Sequence, residues 1–241
     1  MTPRSTLRHA LARLLAVAGL GLAAAVPARA GDEREFAGYD AFYATLPDAL
    51  FTAADKRSFG HEAFVDGHGG MTRRWAGEVD GRRHRVAVTG SLLEVDGRAF
   101  GQAHAVVFPR VLPADMGLDA RLYVTARDVC VDGVAPTASG TSQRWRYVHF
   151  VQDAFGPHAR RYELPGLFGS CLSLQRAAGG DVRFFEASLH TPDGADFPDS
   201  AVLQPWRLHR GRFVQDDGPA LRAVFKAADD VYDFRIEAPA S

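Results

Sequence analysis

The sequence predicts a mainly β fold, an antiparallel β-sandwich or an open barrel or meander, preceded by one or two short helices. Three observations point there. About ten short runs rich in β-branched and aromatic residues recur from residue 71 onward, separated by turn-forming residues. The pentapeptide Glu-Val-Asp-Gly-Arg occurs twice, at 78–82 and 94–98, and Asp-Gly supplies the positive φ angles that a two-residue hairpin turn needs. The best helical periodicity lies before residue 60.

Ahead of the fold stands a segment of a different kind. Arg4, Arg8 and Arg13 precede an apolar stretch over 14–26, and Ala28 and Ala30 flank Arg29 as the small residues of a cleavage site. A basic start, a short apolar run and small residues at the cut are the parts of a secretory signal. The run is shorter than the ~20 residues a spanning helix needs. The expectation is a signal peptide over 1–30, cleaved to leave a single β-rich domain over 31–241. That domain has no integral membrane span and is delivered to the periplasm or secreted.

The helical expectation covers about 40–57, where Phe42, Leu46, Leu50 and Ala54 recur at every fourth position. Pro47 interrupts the stripe and fits the start of a second short helix, capped by Thr45 and with Asp48 in its first turn. Strands follow from about 71. The two Asp-Gly turns make successive hairpins, and further strands are expected over 121–131, 143–152, 160–164, 171–175 and 182–189. His209-Arg210-Gly211-Arg212 reads as a turn between two short strands. The stretch 221–236 supports two readings. Leu221, Val224, Phe225 and Ala228 would line a helix, while Tyr232, Phe234 and Ile236 alternate as one face of a strand. Segments 135–142 and 191–200, rich in Pro, Gly, Ser and Asp, are expected as exposed loops.

Composition narrows the function classes. Hydrophobic residues at 46% and charged residues at 24% match an ordinary globular chain, which excludes disorder, a collagen-like fibre and a multi-pass membrane protein. Removing 1–30 takes away four of the 28 basic residues and none of the 29 acidic ones, leaving a net charge of −5 with histidine neutral. A nucleic-acid binder carries the reverse, a clustered basic footprint, so no nucleic-acid partner is expected. Cys130 and Cys171 are an even pair in a chain expected to be exported, which points to a disulfide between two strands. Closing a loop of roughly forty residues would stabilise the fold by about 3–4 kcal/mol.

Three constellations could carry chemistry. His61, Glu62 and His68, with Asp66 between them, have the residue types of a metal site. Their spacing is not the H-E-x-x-H that puts two histidines on one helical face, and glycines 67, 69 and 70 argue for a polar loop. Within Arg144-Trp145-Arg146-Tyr147-Val148-His149-Phe150, a strand would place Trp145, Tyr147 and His149 on one face as a candidate ligand platform. Arg144, Arg146, Val148 and Phe150 would share the other face. The arginine pairs, Arg160-Arg161 among them, have acidic neighbours such as Glu163 and read as a solvated mixed-charge surface. No nucleotide loop or hydrolase motif is present, and no cofactor is expected. The sequence favours a non-catalytic ligand-binding or envelope interaction module. Its partner would be a small apolar ligand or an envelope protein, and an apolar ligand requires a concave apolar cavity. The alternative is an exported hydrolase, metal-dependent through His61, Glu62 and His68.

Overall fold

Both Asp-Gly pairs close tight hairpins. Asp80 and Gly81 take φ angles of 50° and 73°, and Asp96 and Gly97 take 49° and 82°, so that Val79 pairs with Arg82 and Val95 with Arg98. Two positive φ angles match the right-handed twist of the flanking strands. The computed structural model describes residues 34–60, 64–65, 71–90, 92–101, 105–106, 119–135, 138–164 and 166–237. The fold is mainly β, and its described strands form three sheets.

A C-terminal sheet runs in the order Arg34–Ala37, Asp230–Glu237, Leu221–Ala227, Ser200–His209, Val182–His190 and Gln175–Arg176. Arg212–Gln215 folds back on Ser200–His209 through the expected turn, with Arg210 and Gly211 at φ 50° and 77°. The stretch left open between helix and strand is a hairpin of two strands, Leu221–Ala227 and Asp230–Glu237. A middle sheet runs Lys56–Arg57, Arg121–Val124, Val129–Gly133, Trp145–Gln152, Arg160–Glu163 and Ala105–Val106. Its last pairing is parallel, the others antiparallel. The third sheet is the meander Phe64–Val65, Met71–Val79, Arg82–Thr89, Leu92–Val95 and Arg98–Phe100. Within it the indole of Trp75 lies over Gly77, where a Cβ would stand 2.3 Å from the ring. A side chain at 77 would force that ring to move.

Register explains why the middle sheet is buried on both faces. Tyr123, Cys130, Phe150 and Tyr162 pair successively across four strands and belong to the hydrophobic cluster shared with the C-terminal sheet. Val124, Val129 and Val151 pair one position away and belong to the cluster shared with the third sheet, which supplies Val86, Val88, Leu93 and Val95. A sheet covered on both sides reads as continuous apolar runs rather than as alternation, and all five residues of Val129–Gly133 are buried. Each fully buried Val, Leu or Phe of these layers contributes roughly 1.5–3 kcal/mol of transfer free energy.

Three local expectations differ from what forms. The α-helix spans only Tyr39–Tyr43, and Ala53–Asp55 is a single 3-10 turn. Between them Asp48 takes a φ of 56° just after Pro47, and a left-handed residue ends any helical run. Segment 121–131 is not one strand but two, turning at 125–128, where Thr125 Oγ1 accepts from the Asp128 N–H at 2.9 Å. Segment 171–175 is not a strand at its start. Cys171–Ser173 is a 3-10 turn, because the Ser170 hydroxyl caps it by accepting from the Leu172 N–H. The disulfide Cys130–Cys171 therefore joins a strand to a turn, with Cα atoms 5.9 Å apart. Among the described residues, no helix is long and apolar enough to cross a membrane.

Candidate functional site

Along three neighbouring strands of the middle sheet, the apolar face that looks toward the C-terminal sheet ends in a charge. Moving outward by two residues, and so staying on one face, Tyr123 gives way to Arg121, Cys130 to Asp132 and Val148 to Arg146. Asp132 is fully buried, and its carboxylate is satisfied from three sides. Oδ1 accepts from Arg121 Nε at 2.6 Å and Arg146 Nη2 at 2.9 Å, and Oδ2 accepts from the Cys171 N–H at 2.9 Å. Arg121 also donates to Asp40 and, at 3.4 Å, to Ser170 Oγ. Arg146 Nη1 stands 3.3 Å from Asp119. Burial alone would lower the Arg121 guanidinium, but Asp132 and Asp40 outweigh it and hold the group above its usual range.

Beside this network opens a cleft of about 250 Å³, lined by Tyr39, Arg121, Arg144, Arg146, Phe168 and Tyr232 among others. The short helix delivers Tyr39. It is anchored by Gly38, whose φ of 103° lets its N–H reach the Tyr232 carbonyl at 2.6 Å. Phe168 sits in a turn at φ 56°, its N–H held by the Arg144 carbonyl at 2.7 Å. The rings of Tyr39 and Phe168 stack at 3.9 Å with 6° between their planes. Tyr232 stands edge-on to both and is 46% exposed.

Two polar side chains of this cleft are spare among the described residues, and the buried Nε of Arg146 also lacks a hydrogen-bond partner there. Arg121 and Arg146 are held by carboxylates, whereas the half-buried Arg144 has no side-chain hydrogen bond or ion pair among the described residues. The buried Tyr39 hydroxyl also has no hydrogen-bond partner among the described residues. Burial pushes this hydroxyl far above its usual range, so it keeps its proton and remains a donor.

Trp145, Tyr147 and His149 alternate with Val148 and Phe150 along their strand, and so lie on the face opposite those two. Tyr147 and His149 are buried with their rings 6.5 Å apart and nearly parallel, while Trp145 is half-buried opposite Leu167. His149 belongs to a second polar constellation. Arg161 is fully buried, a correction to the expectation of a solvated pair, because alternation turns Arg160 outward and Arg161 inward. Arg161 Nη1 donates to the Phe100 carbonyl in the third sheet. Its Nη2 donates to Glu163 and stands 2.7 Å from His149 Nδ1. A guanidinium can only donate, so Nδ1 accepts and the imidazole proton sits on Nε2. Nε2 is buried and has no hydrogen-bond partner among the described residues.

Burial pushes the His149 imidazole below its ordinary value; the neighbouring Glu163 carboxylate opposes this and the Arg161 charge adds to it. In the unfolded chain the ring takes a proton near pH 6.5. The folded chain binds that proton only at lower pH, so stability falls as pH drops below about 6.5. The wild-type thermal midpoint is expected to decline between pH 7 and pH 5 more steeply than that of His149→Gln, whose amide oxygen still accepts from Arg161. Equal slopes in a differential scanning series would assign the dependence to other groups.

His61, Glu62 and His68 lie outside the described residues. Among the described residues, no group of three or more His, Cys, Asp or Glu side chains is arranged to hold a metal ion. Between the C-terminal and middle sheets, a void lined by Val148, Leu164, Leu174 and Phe184 measures about 20 Å³, room for one water and not for a lipid. The sequence reading passed over the arginine–aromatic cleft. The signal available was Arg144 and Arg146 continuing the face of Val148 and Phe150, which marks where a core face reaches its rim. Comparison with protein-family models, with curated proteins and with solved structures finds no match.

Proposed function

We propose that the chain is an exported binding module of the periplasm or extracellular space, without catalytic activity of its own, that takes a small ligand at the arginine–aromatic cleft. One observation carries this reading. A concave site walled by stacked aromatic rings also holds two unsatisfied donors, Arg144 and the Tyr39 hydroxyl. Clefts that bind small molecules combine apolar walls with a few convergent polar groups. The signal-like pattern over 1–30 and the disulfide support export, since disulfides persist in oxidising compartments. Trp145, Tyr147 and His149 serve in this reading as packing.

The test is native mass spectrometry of the protein purified from its own host's envelope fraction, with metal analysis of the same sample. The expected species begins at Gly31 and carries a small organic molecule without metal. A stoichiometric metal would instead favour a hydrolase working through His61, Glu62 and His68.

A further inference from the structure

Resting on that binding reading, we propose that the ligand is a small organic anion, a carboxylate or phosphate group joined to a flat apolar body. Arg144 and the Tyr39 hydroxyl take the anionic oxygens, and the open ring of Tyr232 takes the body. The proposal deepens the reading by choosing among ligands that a cleft of this size admits.

Charge accounting selects the anion. Three arginines line the cleft, and two are already committed. Arg121 spends its guanidinium on Asp132, Asp40 and Ser170, and Arg146 spends its own on Asp132 and Asp119. Asp132 also holds the Cys171 N–H, and none of its three hydrogen bonds comes from Arg144. A half-buried guanidinium without an acceptor loses hydration and gains nothing in return. Its five donors in a planar fork match the geometry of carboxylate and phosphate oxygens. The Tyr39 hydroxyl adds a neutral donor beside the rings of Phe168 and Tyr232, in a lining that also includes Gln143 and the Arg121-paired Asp40. It too is left unpaired by the protein, and burial keeps it protonated. A neutral apolar ligand would leave both groups unsatisfied, at roughly 1–3 kcal/mol each.

The shape of the walls selects the flat body. Tyr39 and Phe168 are stacked on each other at 3.9 Å, which consumes their facing surfaces. Tyr232 meets both only edge-on, at interplanar angles of 81° and 78°. Its ring is the exposed apolar surface at the mouth, and offset stacking on such a ring favours a flat partner. At about 250 Å³ the site lies just below the roughly 300–1,000 Å³ of drug-sized pockets, so the ligand is a small metabolite rather than a lipid or an oligomer.

The experiment is a titration of the exported chain followed by amide NMR at Gly38 and Phe168, which flank the cleft. The probes are phenyl phosphate, benzoate, inorganic phosphate and benzyl alcohol, each added to wild type, Arg144→Gln and Tyr232→Leu. Phenyl phosphate or benzoate is expected to move both amides. Arg144→Gln should weaken that binding roughly ten- to a hundredfold at an unchanged melting temperature, since the Arg144 side chain holds no other side chain among the described residues. Whichever of the two probes binds tighter identifies the anionic group. Inorganic phosphate binding as tightly as phenyl phosphate, with Tyr232→Leu without effect, would overturn the flat body. Benzyl alcohol binding as tightly as the anions, indifferent to Arg144→Gln, would overturn the anion and leave the binding reading standing. Silence from all four probes overturns the anion as well. If the host-purified chain is also empty, the binding reading falls with it.

Discussion

Truncating Arg161 to alanine is expected to lower the unfolding free energy by about 3–5 kcal/mol, read as a fall in the urea midpoint at unchanged slope. The side chain is fully buried between the middle and third sheets, and its loss acts in three places at once. The Phe100 carbonyl loses a charged donor that crosses between sheets. The Glu163 carboxylate, only 21% exposed, keeps its charge and loses the cation beside it. His149 Nδ1 loses the N–H that fixes its tautomer. A buried pair is weak evidence of net stability, because both ions were desolvated to form it. Breaking one half is costly because the other half stays behind. That distinction is measurable. Arg161→Met combined with Glu163→Gln removes both charges while keeping volume, and should recover about 0.5–3 kcal/mol relative to the sum of the single changes. Strict additivity would mean that Arg161 and Glu163 do not act as a pair. Arg161→Lys is no substitute, since one ammonium on a flexible stem cannot reach Phe100 and Glu163 with the geometry of the fork.

Arg161 also shows where sequence reading ends. Arg160-Arg161 beside Glu163 has the composition of a solvated surface, and for Arg160 that is its place. Its neighbour goes inward only because the middle sheet is covered on both faces, a fact that lives in the third sheet and not in the strand itself. The elements that were legible are those set by neighbours in the chain. Asp80-Gly81 and Asp96-Gly97 are turns because those residues tolerate positive φ, and His209-Arg210-Gly211-Arg212 is a turn for the same reason. The stretch 221–236 could not be decided locally, since its first half satisfies helical spacing. Pairing of Leu221–Ala227 with Ser200–His209 settles it as strand. The cleft was illegible for a related reason. Asp40, Arg121, Asp132, Arg144 and Tyr232 come from separate elements, and no spacing along the chain connects them. The strand Trp145–Gln152 alternates two faces, and the cleft-lining Arg144 and Arg146 continue the face opposite Trp145, Tyr147 and His149.

Removing the bridge with Cys130→Ala and Cys171→Ala together is expected to cost about 4 kcal/mol in the loop-entropy model, and the effect should reach the cleft. The two cysteines are fully buried, 41 positions apart in sequence, so the unfolded chain gains a long loop's worth of freedom when the link is cut. The folded state changes as well. The bridge pins the turn Cys171–Ser173, and that turn presents the Cys171 N–H to Asp132 while the adjacent Ser170 hydroxyl approaches Arg121. Without the link the turn is held by hydrogen bonds alone: the Ser170 cap on Leu172, the Ser173 N–H and hydroxyl to the Ser170 carbonyl, the Leu174 N–H to the Cys171 carbonyl, and the Cys171 N–H to Asp132. Asp132 can then lose one of its three donors while remaining buried against two arginines. The double variant should therefore show two effects that a purely unfolded-state account does not join. One is the lower urea midpoint. The other is faster hydrogen exchange at Cys171 and Leu172, which reports local opening of the turn, measured under conditions where the variant is still fully folded. A lower midpoint with unchanged exchange at those amides would confine the role of the bridge to the unfolded chain. In that case the floor of the cleft is held by the carboxylate of Asp132 alone, and the disulfide serves the fold without serving the site.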